Sequence, residues 1–250
     1  MNTIFVVLKR QWFSHRRNLV SWIFFFVFLP ILLYMVFGLS LYKIIPNVDR
    51  LNYLHWAAPG IWVTCGFLMS YLTAFNSMHQ LRRSRGLLTI YLKAPISCWS
   101  WSTGQIIWSI LIGSVQLIIA LILIGFINKE LFSILKWFSI LTLTFPAVIF
   151  GAVFGSIMGF WFTRPSSSVL INILVVIGFL SCSGSFIPLT YFPVSLQSAF
   201  MVIPIVREIL ALQHLILNSE VWVSGAILTC VLSAVIFVIN GAMIQYWIRK

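Results

Sequence analysis

Apolar residues in this chain run in stretches of about twenty or more, and that constrains the fold more than any motif does. An α-helix rises 1.5 Å per residue, so about twenty apolar residues cross the roughly 30 Å of hydrocarbon in a bilayer. Six stretches qualify: residues 19–41, 57–78, 102–126, 137–162, 169–187 and 221–247. With 61% hydrophobic and 8% charged residues, the chain lacks the polar surface that a water-soluble globule of 250 residues needs. The expectation is an all-α integral membrane protein, a single domain over residues 1–250 with six transmembrane helices.

The charges in the connections orient the chain. The island at residues 80–101, QLRRSRGLLTIYLKAPISCWSW, holds Arg82, Arg83, Arg85 and Lys93 and no acid. With both ends inside, the inner side also receives Lys9, Arg10, Arg16, Arg17, Arg164, Arg249 and Lys250. The outer side receives Lys43, Arg50, Lys129, Lys136 and Arg207, together with every acidic residue: Asp49, Glu130, Glu208 and Glu220. Eleven cations without an acid, against five cations and four acids, is the asymmetry of the positive-inside bias, so both termini are expected in the cytoplasm. The net charge of +12 does not indicate nucleic acid, because the cations are scattered over helix ends rather than gathered on one face.

Several local patterns refine this outline. Ile4, Phe5, Leu8 and Trp12 share one face of an N-terminal helix, with Gln11 and His15 intruding; it reads either as an amphipathic interfacial helix or as a plain basic flank. Pro30 is expected to kink the first span, and Pro59 with Gly60 to start the second. Residues 163–168 read as a tight polar turn. Gly151, Gly155 and Gly159 recur every four residues in the fourth span, which reads either as a packing strip or as ordinary tolerance of glycine in membrane helices. Residues 188–220 are too apolar for a solvated loop and too broken by Pro193 and Pro204 for one straight span. Two short helices dipping into the outer leaflet and returning would fit.

Bond-making chemistry finds little support. Cys65, Cys98, Cys182 and Cys230 are far apart, with no CxxC and no histidine pair, so neither a disulfide framework nor a metal site is indicated. No phosphate-cradling GxxxxGK[ST] loop is present. No span holds a convincing buried acid or base, and His55, His79 and His214 fall near span ends or in the outer segment. Ser183, Gly184 and Ser185 with His214 could be set out as an intramembrane serine hydrolase, but no orienting acid or oxyanion motif accompanies them. Arg207 and Glu208 read either as the polar lining of an exit route or as a salt-bridged pair, the second being favoured.

Two segments carry a family resemblance. Residues 82–97, RRSRGLLTIYLKAPIS, and residues 183–204, SGSFIPLTYFPVSLQSAFMVIP, resemble the permease subunits of ABC-2 type exporters, closest to the branch of drug and lipo-oligosaccharide exporters. The second segment keeps a Ser-Gly pair, an aromatic, three prolines and a Leu-Gln in register: Ser183, Gly184, Phe186, Pro188, Pro193 and Pro204 stand at the matching places. Ser84 and Arg85 depart from the acids that relatives often carry, and Ile203 replaces a usual Asn.

The resemblance implies a half-transporter in a bacterial cytoplasmic (inner) membrane. Two permease copies, expected as a homodimer, would pair with two cytoplasmic ABC ATPase subunits, which bind ATP and Mg; this chain itself would hold no cofactor, catalyse no hydrolysis and bind no nucleic acid. It also implies a coupling helix at residues 86–92 that docks in the ATPase, with Leu87, Leu88, Tyr91 and Leu92 as its apolar contact, flanked by Arg82, Arg83, Arg85, Gly86 and Pro95. Spacing alone places those four apolar residues on one helical face, as a lipid-lying helix would also require. The outer segment, with Arg207 and Glu208, would form a re-entrant exit element. The cargo would be amphipathic or lipid-linked, taken from the cytoplasm or inner leaflet: a drug, lipid, glycolipid or polysaccharide. The alternative is a membrane-embedded enzyme or assembly factor without transport.

Overall fold

The computed structural model describes residues 3–48, 51–83, 98–129, 133–218 and 223–249. Within these the chain is helical almost throughout. A short α1 (Thr3–Arg16) is followed by six helices long and apolar enough to cross a membrane. They are α2 (Leu19–Tyr42), α3 (Tyr53–Arg83), α4 (Cys98–Ile127), α5 (Ile134–Trp161), α6 (Pro165–Cys182) and α9 (Ser224–Arg249). Between the last two lie α7 (Val194–Phe200) and α8 (Pro204–Asn218).

The ends of these elements follow local chemistry, and several differ from the sequence expectation. Helix α3 starts at Tyr53, so Pro59 and Gly60 lie inside it. Its start signal is Asn52, whose side-chain oxygen accepts the Leu54 N–H at 3.0 Å as an N-cap does. The preceding loop holds a small antiparallel pairing, β1 (Asn47–Val48) with β2 (Leu51–Asn52), in an otherwise all-α chain. Residues 165–168, expected in a turn, form the first turn of α6: Pro165 supplies its preset φ at the first helical position, and Ser168 N–H already reaches Arg164 O. Helix α6 stops at Cys182, so residues 183–187 leave the helix. In α2, Pro30 removes one backbone donor, and a π-helical stretch at Tyr34–Leu39 follows; such local adjustments let a membrane helix carry a proline.

Helix α3 is the pillar of the bundle. At 31 residues it is about 46 Å long, more than the hydrocarbon thickness, and nearly all residues of its apolar stretch are buried. Helices α2, α4, α5, α6 and α8 surround it. By contrast α6 and α2 bury few of their residues, with Phe24, Phe28, Ile173 and Ile177 facing outward.

The closest packing is between α3 and α5, and it rests on the glycine strip. A Cβ at Gly151 would stand 2.7 Å from Phe67 O, and at Gly155 and Gly159 it would stand closer still to Tyr71 O and Phe75 O. The three glycines therefore lie directly on backbone carbonyls one turn apart on α3. The strip is a packing device here, since any side chain would force the two backbones apart. Gly113 of α4 meets Ser70 and Val148 at the same seam.

Several hydroxyl groups inside the bundle are satisfied by their own helices. Thr73, Ser77, Ser109 and Thr229 donate to carbonyls four residues back in their own helices. Asn240 of α9 donates to Ser156 of α5 at 2.7 Å and to Ser102 of α4 at 3.5 Å, tying three helices together.

Gly155→Ile is expected to cost about 3 kcal/mol or to prevent folding, because overpacking a tight core usually costs about 1–3 kcal/mol and here the obstacle is backbone. Gly178→Ala, where nothing lies within 4 Å of the new Cβ, should not lower the melting temperature of the detergent-solubilised protein. Equal tolerance of both changes would contradict the glycine contact.

Candidate functional site

At one end of the bundle the chain leaves α6 and forms a buried strap. Ser183 caps α6, and Gly184 then takes φ +70°, a left-handed conformation that glycine adopts without penalty. This turns the backbone so that Ser185 lies on Gly60 of α3, where a Cβ would stand 2.6 Å from Ser185 Cα. Tyr53 at the start of α3 donates its hydroxyl to Phe186 O at 2.7 Å, and the buried Phe186 ring meets Phe37 of α2 at 4.6 Å. Gln213 of α8 reaches Gly184 O at 3.4 Å. Ser183 and Ser185 hydrogen-bond each other, and Thr64 stands 3.4 Å from the Ser185 hydroxyl. These hydroxyls are engaged in holding the strap.

Beyond the strap, prolines divide the segment into two helices. Pro188 precedes a single 3-10 turn at Leu189–Tyr191, and Pro193 caps α7, where Gln197 folds back to donate to Phe192 O at 2.7 Å. Pro204 opens α8, and the two helices meet at 99°. Arg207 holds that corner: its Nε donates to Met201 O at 2.7 Å, placing a cation against the C-terminal end of α7.

Arg207 and Glu208 are not the salt-bridged pair that the sequence favoured. Successive residues on a helix point about 100° apart, and here Arg207 is exposed while Glu208 is fully buried. The Glu208 carboxyl group turns toward α5 and accepts the Ala147 backbone N–H at 3.0 Å. Ala147 follows Pro146, which lacks the N–H of the helix ladder, so the Glu208 side chain sits at the break. Gly225 lets α9 close over the same place, since a Cβ there would stand 2.9 Å from the Arg207 carbonyl carbon.

At the opposite end, α3 clips α5. His79 Nδ1 is 2.7 Å from Phe162 O, and the Arg82 guanidinium donates to Phe160 O and lies 4.9 Å from the Phe160 ring centroid. Terminal carbonyls of α5 thus receive partners that the helix cannot supply. Helix α1 packs beneath, with Val7 in a cluster with Met78, Leu81, Trp101, Phe160 and Ile244. Arg83 is exposed at the last position of α3. Arg85, Gly86, Leu87, Leu88, Tyr91, Leu92 and Pro95, the rest of the expected coupling segment, lie outside the described residues.

One feature of this end was missed by sequence reasoning. A groove of about 590 Å³ runs between α1, the start of α2 and α3, bordered by Gln11, His15, Asn18, Asn76, Ser77 and Gln80. The signal was present in the two residues taken as intruders on the apolar face of α1: Gln11 and His15 point into the bundle, where Gln11 donates to Gln105 at 2.7 Å, while Phe5 and Trp12 are more than half exposed.

Among the described residues no three His, Cys, Asp or Glu side chains gather as metal ligands would. What the two ends share is α3, which seats the strap at Tyr53 and Gly60 and carries Arg82 and Arg83 at its other terminus.

A family model described as ABC-2 type transporter matches residues 2–217. No curated protein matches the chain.

The Glu208 contact carries a stability prediction. Glu208→Leu strands a buried backbone N–H and is expected to cost about 1–3 kcal/mol. Glu208→Gln keeps an acceptor there and should lose less. Thermal unfolding of the two purified variants checks this, and identical losses would mean that the Ala147 hydrogen bond is not what Glu208 contributes.

Proposed function

Because this chain belongs to the ABC-2 type transporter family, as a permease subunit whose partner is a cytoplasmic ABC ATPase, we propose that it is half of an exporter for an amphipathic or lipid-linked substrate. Two copies would pair as a homodimer in the cytoplasmic membrane, each served by one ATPase subunit that holds ATP and Mg. Both termini and the segment at residues 84–97 would face the cytoplasm, in accord with the concentration of cations there.

The observation that carries this reading is the continuity of α3. One helix, locked to α5 by backbone contact, reaches from Arg82 and Arg83 to the seat of the strap. A displacement imposed next to Arg83 would travel along a stiff pair of helices to residues 183–186, seated about 35–45 Å away along α3 at Gly60 and Tyr53. The ATPase would bind the two permease states with different affinity through the contacts at residues 85–95, and this difference is the coupling free energy. Apolar residues Leu87, Leu88, Tyr91 and Leu92 suit a helix lodged in a groove of that partner.

Docking is tested with changes that spare Arg82, since its guanidinium holds the end of α5. Arg83→Glu with Arg85→Glu, and separately Leu88→Asp, should leave the permease in the membrane at normal levels. Recovery of the ATPase with the tagged permease is expected to fall by about tenfold or more. Unchanged recovery and unchanged export would place the docking surface elsewhere.

An enzyme would behave differently at the strap. Replacing Ser183 and Ser185 together by Ala leaves their backbone in place and should reduce export by no more than about fivefold, the scale of one lost hydrogen bond. Complete loss of turnover of a defined substrate, with the protein still folded, would instead favour serine chemistry.

A further inference from the structure

The buried face of α8 is apolar with one acid in it. Ile205, Val206, Ile209 and Leu212 are all but inaccessible, and Glu208 stands among them with no exposed surface. Its Oε1 accepts the Ala147 N–H, but Oε2, equally buried, has no hydrogen-bond partner among the described residues. Gly225 lets the backbone of α9 rest on the Arg207 carbonyl and the Glu208 nitrogen, so α5, α8 and α9 close around the carboxyl.

No charge balances this acid. Among the described residues Glu208 forms no ion pair. On its own helix, Arg207 is exposed and donates to Met201 O, and His214 points about 120° away around the helix. On α5 the one charged residue is Lys136, about 16 Å along the helix from Ala147. On α9 the titratable group that senses Glu208 is Cys230, while Tyr246 and Arg249 lie about five turns beyond Thr229. On α3 the Tyr53 and Tyr71 hydroxyls are bonded to Phe186 O and Asn172, Cys65 lies against Gln116, His55 is in the first turn, and His79, Arg82 and Arg83 are at the far end. The Thr229 hydroxyl beside the carboxyl spends its proton on Gly225 O at 2.9 Å, so it offers lone pairs rather than a proton. An ionised carboxylate would therefore be held by one backbone donor alone. A protonated carboxyl keeps that hydrogen bond through its carbonyl oxygen and leaves at worst one O–H unmatched, a far smaller penalty than an unmatched charge.

We propose that Glu208 is a proton-binding site, neutral while α5, α8 and α9 are packed as here and ionised when these helices part and water enters. An opened or unfolded chain exposes an ordinary carboxyl, which titrates near about 4.3. Above that pH the packed state holds one proton more than the opened state. Its stability relative to the opened state is therefore greatest in acid and falls as pH rises, until Glu208 ionises in place. The proposal rests on the permease reading only for what the opened state is: were the strap end to open outward in a transport cycle, each opening would release a proton there and each closing would take one up. Binding of the proton itself needs neither ATPase nor cargo.

The test uses the full chain in detergent micelles, unfolded reversibly with dodecyl sulfate from about pH 5 to about pH 7. Glu208→Gln is measured beside it, since it keeps the acceptor and cannot titrate. The unfolding constant of the wild type relative to that of Glu208→Gln should rise about tenfold per pH unit, the effect of one proton. The remaining acids are common to both chains and cancel. Cys230→Ser should show the same rise as the wild type. Infrared spectra of protein isotopically labelled at its glutamate carboxyls give a reading that does not depend on stability. Of the three glutamates, Glu130, Glu208 and Glu220, one should show the carbonyl stretch of a protonated carboxyl at neutral pH, and that band should be missing in Glu208→Gln. A ratio that is flat or falls with pH, a rise abolished by Cys230→Ser, or a wild-type spectrum without the band at neutral pH overturns the proposal. Recovery of the ATPase with the permease is read separately, so failure of the proton site and failure of the permease reading are told apart.

Discussion

Everything in this bundle depends on the approach of two backbones. Gly151, Gly155 and Gly159 of α5 lie on the carbonyls of Phe67, Tyr71 and Phe75 of α3, a contact that no side chain separates. In lipid there is no water to drive helices together, so association rests on dispersion and on such close fits. The same seam explains why α3 can be buried over nearly its whole length: α5 on one side and α4, entering at Gly113, on another leave little of it uncovered. At either end of the seam a specific clip prevents sliding. Arg82 and His79 hold the last carbonyls of α5, and Glu208 fills the gap beside Pro146.

The prolines and the buried polar groups are parts of one problem. A proline in a membrane helix removes a donor and bends the backbone, and each group left without a partner is costly where water is absent. In α2 the adjustment is local, through the π-helical stretch after Pro30. In α5 it comes from another element, since Ala147 N–H is received by Glu208 of α8. The bent pair α7 and α8 is therefore tied to the transmembrane core at its acid, while Arg207 one residue earlier holds the corner between the two short helices.

Much of this architecture was legible in the sequence, because the features that carry it are periodic. Six long apolar stretches mark the six spans, glycine at every fourth residue marks the seam, and Pro193 with Pro204 divides the segment that became two helices. What was not legible depends on where neighbouring residues point. Arg207 and Glu208 are adjacent in the chain, and adjacency suggested a pair, yet helical geometry points them about 100° apart, one to the surface and one into the bundle. Pro59 and Gly60 looked like a helix start, but Gly60 is required where the strap of a distant segment presses on α3, a contact that no local pattern encodes. Gln11 and His15 looked like defects in an amphipathic face because the face was sought against lipid. The side of α1 turned toward the bundle is instead the one with Val7, Gln11 and His15, where polar residues have partners, while Phe5 and Trp12 stay exposed.

This last reversal has a mechanical consequence. Helix α1 packs against α4, with Val7 over Gly104 and in one cluster with Met78, Trp101, Phe160 and Ile244, so the groove is built partly on the seam and partly on the α1–α2 elbow. Its far wall, Thr73, Asn76, Ser77 and Gln80, belongs to the rigid α3–α5 unit, and its near wall belongs to helices that bury few of their own residues. A movement of the rigid unit relative to α2 must therefore change the width of the groove, while the strap at the other end rides on the same α3 through Tyr53 and Gly60. The two polar places of the bundle stand in series on one helix, and under the proposed coupling a shift that acts on Arg83 would reach both.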